Sequence, residues 1–99
     1  MWGEWICESC RLCFYSKNLC VKIPEGVDFE SAAFTTLGAI ALQGVRQADI
    51  RIGEIVAVIG LGLIGQLTVQ ILKASGCRVI GFDINPEREN LATELGVDS

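Results

Sequence analysis

The sequence contains no histidine among its 99 residues. This absence excludes Ser-His and Cys-His catalytic pairs, and it excludes every metal site that needs an imidazole ligand. Basic residues are also few, since eight Lys and Arg face twelve Asp and Glu for a net charge of −4, and they form no basic stripe. A protein that follows a phosphate backbone needs such a stripe. We therefore expect no nucleic-acid partner.

Long apolar runs are scarce as well. The longest covers residues 55–65, eleven residues without a polar side chain, and Gln66, Gln70 and Lys73 follow it. A membrane-spanning helix needs about 20 predominantly apolar residues, so we expect no membrane span. The first ten residues lack the basic stretch and apolar run of a signal peptide. The sequence therefore predicts a cytoplasmic location.

The chain before residue 53 predicts one strand and one helix, and residues 1–20 carry four of the five cysteines. The segment "NLCVKIP", residues 18–24, is short, rich in β-branched residues and ended by Pro24, which favours an edge strand. Asp28 is a suitable N-cap for a mostly apolar helix that should end near Asp49.

The chain after residue 53 alternates strands and helices. The run "IVAVI", residues 55–59, is typical of a strand buried on both faces. A helix follows to near Gly76, and "CRVIGFD", residues 77–83, predicts a second buried strand. A second helix should begin after Asn85 and end at Gly96. In the first helix we expect a polar stripe of Gln66, Gln70 and Lys73 and an apolar stripe of Leu63, Leu67, Ile71 and Ala74.

This order predicts an α/β fold with a doubly wound parallel sheet. The two strands and two helices form an incomplete βαβα unit, that is, a partial Rossmann fold, preceded by a helix and a Cys-rich leader. The sheet should be unfinished at its first strand. Such an edge exposes unpaired backbone and apolar side chains, so we expect self-association or a partner that covers it.

A glycine motif lies where the first of these strands passes into its helix. Gly60, Gly62 and Gly65 form G-x-G-x-x-G, in which the first glycine allows a tight turn, the second lets a pyrophosphate approach the backbone, and the third allows close helix–strand packing. The N–H groups of Leu63 and Ile64 at the helix N-terminus would face the phosphates. An ordinary tight turn is the alternative. The agreement of strand, helix and second strand favours dinucleotide binding.

Asp83 stands at the end of the second strand, 18 residues after Gly65. A carboxylate there can accept hydrogen bonds from the adenosine ribose hydroxyls and would repel a 2′-phosphate. This favours NAD over NADP, and Arg88 lies too far into the next helix to argue strongly for NADP. The alternative is that Asp83 only caps the following helix.

Residues 17–98 resemble the medium-chain (zinc-type alcohol) dehydrogenases. The segments that carry this resemblance are "KIPEGVDFESAAF", the glycine motif, the acid in "FD" and the closing "ELGVD". The resemblance is nearest to a subgroup in which this dehydrogenase part is fused to a glucose-fructose oxidoreductase-like enzyme. It implies a nicotinamide-dependent oxidoreductase of alcohols or sugar derivatives with a GroES-like catalytic domain before this segment. It divides the chain into a leader (1–17), a crossing strand and helix (18–52) and the first half of the dinucleotide-binding domain (53–99).

Zinc is implied by the resemblance but is not placed by it. The family's catalytic zinc uses a Cys, a His and a further acid or Cys, which a chain without histidine cannot supply. Cys7, Cys10, Cys13 and Cys20 have the spacing C-x2-C-x2-C-x6-C, one residue short of the family's structural zinc lobe. A zinc lobe, a chance spacing and a disulfide pair all stay open. Cys20 cannot serve both the lobe and the predicted edge strand.

Three functions are compatible with these patterns. The chain is a fragment of an NAD-dependent dehydrogenase that carries part of the dinucleotide site and is inactive alone, a stand-alone nucleotide-binding or interaction module, or a truncated reading frame. We assign no catalytic residue, because counting back from Gly53 to the position where many members hold a Thr leads to Ala39 or Ile40. The substrate is not encoded in any readable motif.

Overall fold

The computed structural model describes the backbone of residues 2–7 and 10–16 and the whole of residues 21–98. The chain separates into two compact units, Met1–Ala32 and Ala33–Ser99. In the first unit, strands β1 (Trp2–Cys7) and β2 (Cys10–Ser16) pair antiparallel, with an irregularity in the register between Trp5 and Cys7. The sequence did not predict this pairing.

The predicted edge strand over residues 18–24 is not found where it can be checked. Residues 18–20 lie outside the described residues, and residues 21–24 have no strand conformation. They lead directly into a turn in which the N–H of Val27 donates to the carbonyl of Pro24 at 3.3 Å. Gly26 has φ +86° in this turn, a conformation that glycine adopts without steric cost.

The predicted helix from Asp28 forms, but as two helices. Helix α1 (Phe29–Ala33) is capped by Asp28, whose Oδ1 accepts from the Ser31 N–H, and this bond lowers the pKa of Asp28. Helix α2 (Thr35–Gln47) begins after Phe34, which has φ −81° and ψ −3°. That ψ departs from the helical value of about −42°, and the two β-branched Thr residues that follow favour helix weakly.

The second unit contains the predicted βαβα order. Strand β3 (Ile55–Ile59), helix α3 (Leu63–Ala74), strand β4 (Arg78–Phe82) and helix α4 (Pro86–Glu94) follow one another. The strands pair in parallel, with Ile55 opposite Arg78 and Ile59 opposite Phe82. Parallel pairing of consecutive strands requires a crossover, and α3 supplies it. The α/β fold is therefore confirmed.

The ends of α4 follow the sequence signals. The side chain of Asn85 accepts from the N–H of Glu87 at 2.9 Å, Pro86 is the first helical residue, and Gly96 has φ +101° after the helix. Beyond it, Asp98 joins the chain back to β4: its N–H donates to the carbonyl of Val79 at 2.8 Å, and its Oδ2 accepts from the Val79 N–H at 2.7 Å. The hydrogen bond from the Val79 N–H has the largest effect on the pKa of Asp98 and lowers it. The Lys73 ammonium, 3.0 Å from Oδ2, lowers it further.

The core of the second unit lies between α3, the two strands and α4, and Val45 of α2 packs against it. Its buried residues are Val58, Leu61, Val69, Leu72, Cys77, Val79 and Ala92. The long apolar run is thus divided between β3 and α3. Within the described part of the chain, no helix is both long and apolar enough to cross a membrane.

The prediction that β3 is buried on both faces is wrong for this chain. Val58 is its one buried residue, and Ile59 is 87% exposed. Among the described strands β3 pairs with β4 alone. A strand with a neighbour on one side only leaves its other side open, as the sequence-based expectation of an unfinished sheet required.

The predicted stripes of α3 are also wrong in phase. The buried residues are Gln66, Val69 and Leu72, whereas Leu63 from the predicted apolar stripe is 53% exposed. Gly65 causes the difference, because it is the residue that lies against the backbone of Gly60. Residues four and seven positions later, Val69 and Leu72, then face the sheet.

A pair of truncations tests this phase. Leu72→Ala should lower the free energy of unfolding by about 2–5 kcal/mol, since Leu72 is fully buried and truncation leaves a cavity. Leu63→Ala, the same change on the exposed side, should stay within about 1 kcal/mol of wild type. Urea unfolding followed by circular dichroism measures both. Equal losses, or a larger loss for Leu63→Ala, would restore the predicted stripe.

Candidate functional site at the ends of the parallel strands

The glycine motif forms the turn between β3 and α3. Gly60 continues the strand pairing through its N–H, which donates to the carbonyl of Phe82 at 2.8 Å, and has φ +91°. This φ is rarely adopted by residues with a side chain. Gly60 therefore turns the chain out of the sheet and into the helix.

Gly65 and Gly62 are glycines for different reasons. A Cβ on Gly65 would collide with the carbonyl oxygen of Gly60, so this position brings the helix close to the strand. A Cβ on Gly62 would meet nothing within 4 Å, and its φ of −70° is open to any residue. Among the residues that the structure describes, no contact requires a glycine at position 62. Open space beside its backbone is the feature that the approach of a pyrophosphate requires.

Leu63 and Ile64 occupy the first two positions of α3, after Gly62 as N-cap. The N-cap Gly62 has no side chain to cap the helix, and the first intrahelical bond runs from the N–H of Gln66 to the carbonyl of Gly62 at 2.8 Å. The N–H groups of Leu63, Ile64 and Gly65 are therefore left without an intrahelical acceptor. They offer hydrogen-bond donors and the positive end of the helix dipole to an anion.

Asp83 directly follows β4 and contacts the glycine turn. Its Oδ2 accepts from the N–H of Leu61 at 2.7 Å, its Oδ1 accepts from the N–H of Asn85 at 2.8 Å, and its side chain is 4% exposed. The bond from Asn85, followed by that from Leu61, lowers the pKa of Asp83, and Arg88 adds to the effect. The carboxylate is held ionised by backbone donors on two different elements.

The structure thus gives Asp83 a contact that sequence analysis did not predict. The bond from Asn85 agrees with the alternative that Asp83 organises the start of α4, and the bond from Leu61 adds the glycine turn. An ionised carboxylate offers about four lone-pair positions. The two N–H donors and the Arg88 guanidinium, 3.6 Å from Oδ2, use up to three of them and leave about one acceptor position for a further donor.

A shallow pocket of about 350 Å³ opens at this edge of the sheet. The ends of both strands and the first turn of α4 line it, through Ile59, Gly60, Phe82, Asp83, Ile84 and Arg88. Ile59, Phe82 and Ile84 expose apolar surface there, beside the Asp83 carboxylate. In open α/β sheets ligands bind at the carboxyl ends of the strands, which is the position of this pocket.

Arg88 contributes more to this region than its distance along the chain suggested. Its Nη1 lies 3.6 Å from Asp83 Oδ2, and its side chain is 53% exposed. Helix α4 begins next to the carboxyl end of β4, so Arg88 in its first turn, five positions after Asp83, lies beside that carboxylate. The signal in the sequence was its position in the first turn of α4, directly after the Asn85-Pro86 start.

Leu61 and Gln66 were also missed as parts of the site. Leu61 is buried, and its side chain covers Gly81 of β4, where a Cβ would lie 3.1 Å from Leu61 Cδ1. Gln66 is buried at the start of α3 and donates to the carbonyls of Leu61 and Arg88. An apolar residue between two glycines and a Gln directly after the third were the available signals.

The described residues hold no group of three or more metal-ligating side chains. The zinc interpretation of Cys7, Cys10, Cys13 and Cys20 lies outside the described residues, since no side chain is described before residue 21. Among the side chains that are described, the donor set does not fit a zinc site. Cys77 is buried at the start of β4, and its Sγ lies 3.5 Å from the Arg51 carbonyl oxygen.

Comparison with known proteins agrees with this geometry. A family model described as zinc-binding dehydrogenase matches residues 64–99. D-guloside 3-dehydrogenase from Escherichia coli (strain K12) is 38% identical over 78 residues, which are 78% of this chain and 22% of that protein. The chain spans about a quarter of the length of the relatives it matches.

Two similar solved structures are described as complexes with a nicotinamide dinucleotide. The acetophenone reductase from Geotrichum candidum, in complex with NAD, has a TM-score of 0.76 and 30% identity over 89% of this chain and 26% of its own. The quinone oxidoreductase from Thermus thermophilus, described with its NADPH complex, has a TM-score of 0.78 and 31% identity over 90% and 31%. The second unit is therefore a Rossmann-type unit. The chain belongs to the zinc-type medium-chain dehydrogenase family, whose members use NAD(P) and zinc.

Substitution of Gly62 and of Gly65 by alanine should have different effects on the stability of the fold. Gly65→Ala should destabilise the fold or displace α3, because the added Cβ meets the Gly60 carbonyl. Gly62→Ala should leave the free energy of unfolding within about 1 kcal/mol of wild type, because the space is open and φ is ordinary. Thermal and urea unfolding measure the difference. Tolerance of Gly65→Ala with unchanged amide shifts around Gly60 would contradict the close approach.

Proposed function

We propose that this chain binds the adenosine and pyrophosphate part of a nicotinamide dinucleotide, as the corresponding segment of an alcohol or sugar-derivative dehydrogenase. The observation that carries the proposal is the joining of three features at one edge. These are open space beside Gly62, the N–H groups of Leu63 and Ile64 that have no acceptor within the helix, and the ionised Asp83 carboxylate beside a pocket. The dinucleotide, when bound, supplies hydride acceptance and donation.

The chain's own residues have separate parts in this binding. The N–H groups of Leu63 and Ile64 would donate to the pyrophosphate, which passes the open side of Gly62. Asp83 would accept from ribose hydroxyls, and the apolar surfaces of Ile59 and Ile84 would face the adenine. Gly60 and Gly65 act through the backbone, by setting the turn and the approach of α3.

We propose NAD as the preferred dinucleotide, with NADP bound more weakly. The Asp83 carboxylate is ionised and would face a 2′-phosphate with like charge. Arg88 reduces this preference, because its guanidinium lies 3.6 Å from Asp83 Oδ2 and is half exposed. Because the guanidinium is half exposed, solvent and salt screen its charge, so the carboxylate should still decide the preference.

The chain carries none of the family's hydride-transfer apparatus in its described residues, and we assign no catalytic residue. We propose that the activity belongs to the dehydrogenase of which this segment is characteristic, and that the 99-residue chain shows no turnover of alcohols or sugar derivatives. Substrate-dependent production of NADH by the pure chain would contradict this part. A cytoplasmic location stays a prediction from the sequence.

Titration of the labelled chain tests the binding. NAD should shift the amide resonances of residues 60–65 with an affinity of about millimolar, since the described residues supply contacts to the adenosine and pyrophosphate part alone. Nicotinamide mononucleotide, which lacks the adenosine, should not shift them. Gly62→Val should abolish the NAD shifts while the fold is retained, because the added side chain fills only open space. Equal NAD binding by Gly62→Val would overturn the proposed phosphate path.

The ratio of the NAD affinity to the NADP affinity tests whether Asp83 contacts the ribose. Asp83→Ala removes the acceptor of the Leu61 N–H as well, so a loosened turn should weaken both dinucleotides alike. Loss of the ribose contact and of the like charge should in addition lower the NAD/NADP affinity ratio by about one to two decades. An unchanged ratio would leave Asp83 as a structural group of the turn.

The open side of β3 is the place where we propose that another chain or a second copy packs. β3 has no second neighbour among the described strands, and Ile55, which lies on the exposed face of the strand, adds apolar surface beside that edge. Such an edge favours association. Sedimentation equilibrium should show association as concentration rises, reduced by Ile55→Lys. A monomer at every concentration would leave a different protein as the partner.

A further inference from the structure

Gln66 is the one buried polar residue among those that the structure describes, with 7% of its surface exposed. Its Nε2 donates to the carbonyl of Leu61 at 3.0 Å and to the carbonyl of Arg88 at 2.9 Å. Both amide hydrogens are therefore used. The opposite orientation of the amide would turn its oxygen towards two carbonyl oxygens, so the partners determine the orientation.

These bonds belong to a ring of contacts, called the circuit below, that connects Gln66, Leu61, Asp83 and Arg88. Gln66 holds the carbonyl of Leu61, and Asp83 holds the N–H of the same residue at 2.7 Å. Gln66 also holds the backbone of Arg88, whose guanidinium lies 3.6 Å from Asp83 Oδ2. The circuit joins the glycine turn, the start of α3, the end of β4 and the first turn of α4.

Packing alone gives no reason for an amide at this position. The Oε1 of Gln66 is buried and has no partner among the described residues. A buried acceptor without a partner is unfavourable, whereas an apolar side chain of similar size would fill the space without that cost. The two donated hydrogen bonds are what the amide adds.

The circuit spans the two halves of the proposed binding surface. The donors for phosphate are on α3, at Leu63 and Ile64, while the ribose acceptor and the pocket wall are at Asp83 and Arg88. A dinucleotide bound at both must match the distance between these elements. Groups held in place before binding lose less freedom on association.

We propose that Gln66 is a positioning residue that ties the glycine turn to α4, and so sets Asp83 and Arg88 relative to the phosphate-binding N–H groups. This inference rests on the proposed function. Gln66 itself touches no ligand in this arrangement. Its effect on affinity passes through Leu61 and Arg88.

The experiment compares Gln66→Leu with Gln70→Leu in the full 99-residue chain. Gln70 undergoes the same change one turn later on α3, where its side chain is exposed and its Nε2 reaches the Gln66 carbonyl at 3.3 Å. Gln66→Leu should weaken NAD binding about 5-fold, the effect of losing about one net hydrogen bond. Gln70→Leu should not change it. Should Gln66→Leu fail to fold, Gln66→Met, which is unbranched and of similar length, takes its place.

A second readout needs no nucleotide. Asp83 has a lowered pKa because of the N–H of Asn85, then that of Leu61, and then Arg88. If Gln66 positions Leu61 and Arg88, its replacement should raise the Asp83 pKa towards the ordinary value of 3.8, followed by NMR titration of the carboxyl group. A side chain that only fills space would leave this pKa unchanged.

The two readouts together decide the proposal. Weaker NAD binding with a raised Asp83 pKa supports it, and an unchanged value of either overturns it. If the wild-type chain binds no dinucleotide, the proposed function fails, and the Asp83 titration then decides whether the tie exists: a raised pKa supports it and an unmoved one overturns it.

Discussion

The contact of Gly65 with the carbonyl of Gly60 determines the arrangement of the second unit. Because no side chain separates them, α3 lies directly against the end of β3. This contact sets the rotation of the helix, so that Val69 and Leu72 face the strands and Gln66 lies under the glycine turn. The N-terminus of α3 is then presented at the strand ends, beside the pocket at Asp83. The absence of a Cβ at Gly65 therefore determines both the packing of α3 in the core and the position of its N-terminus beside the pocket.

Asp83 has a structural role and a proposed binding role at once. Backbone donors from Leu61 and Asn85 hold its carboxylate ionised at neutral pH. The same bonds fix the direction of the oxygens, so a ribose would meet an acceptor that is already oriented. Substitution of Asp83 consequently disturbs the turn and the ligand contact together. A ratio of two ligand affinities separates these effects where a single affinity cannot.

Local signals predicted the elements of the second unit well. The β-branched run at residues 55–59, the Asn85-Pro86 start of α4 and the glycines at 76 and 96 correspond to features of β3, α4 and the helix ends. These signals depend on backbone preferences within a few residues, which a sequence displays directly. The family resemblance over residues 17–98 was confirmed by the matched relatives.

The errors at α3 and at Arg88 arose where a contact joins parts of the chain that are distant in sequence. The stripes of α3 were predicted from hydropathy, but Gly60 and Gly65 decide which side faces the sheet. Gln66 was placed on the polar side because its partners, the carbonyls of Leu61 and Arg88, are backbone groups that no residue type reveals. Arg88 was undervalued for a similar reason, since only the direction of α4 brings it to Asp83. Side-chain identity indicates what a residue can bind, whereas the fold decides which backbone groups it meets. The role of a polar residue beside a glycine turn therefore becomes clear when the contact between the third glycine and the strand is known, because that contact decides which side of the helix faces the sheet.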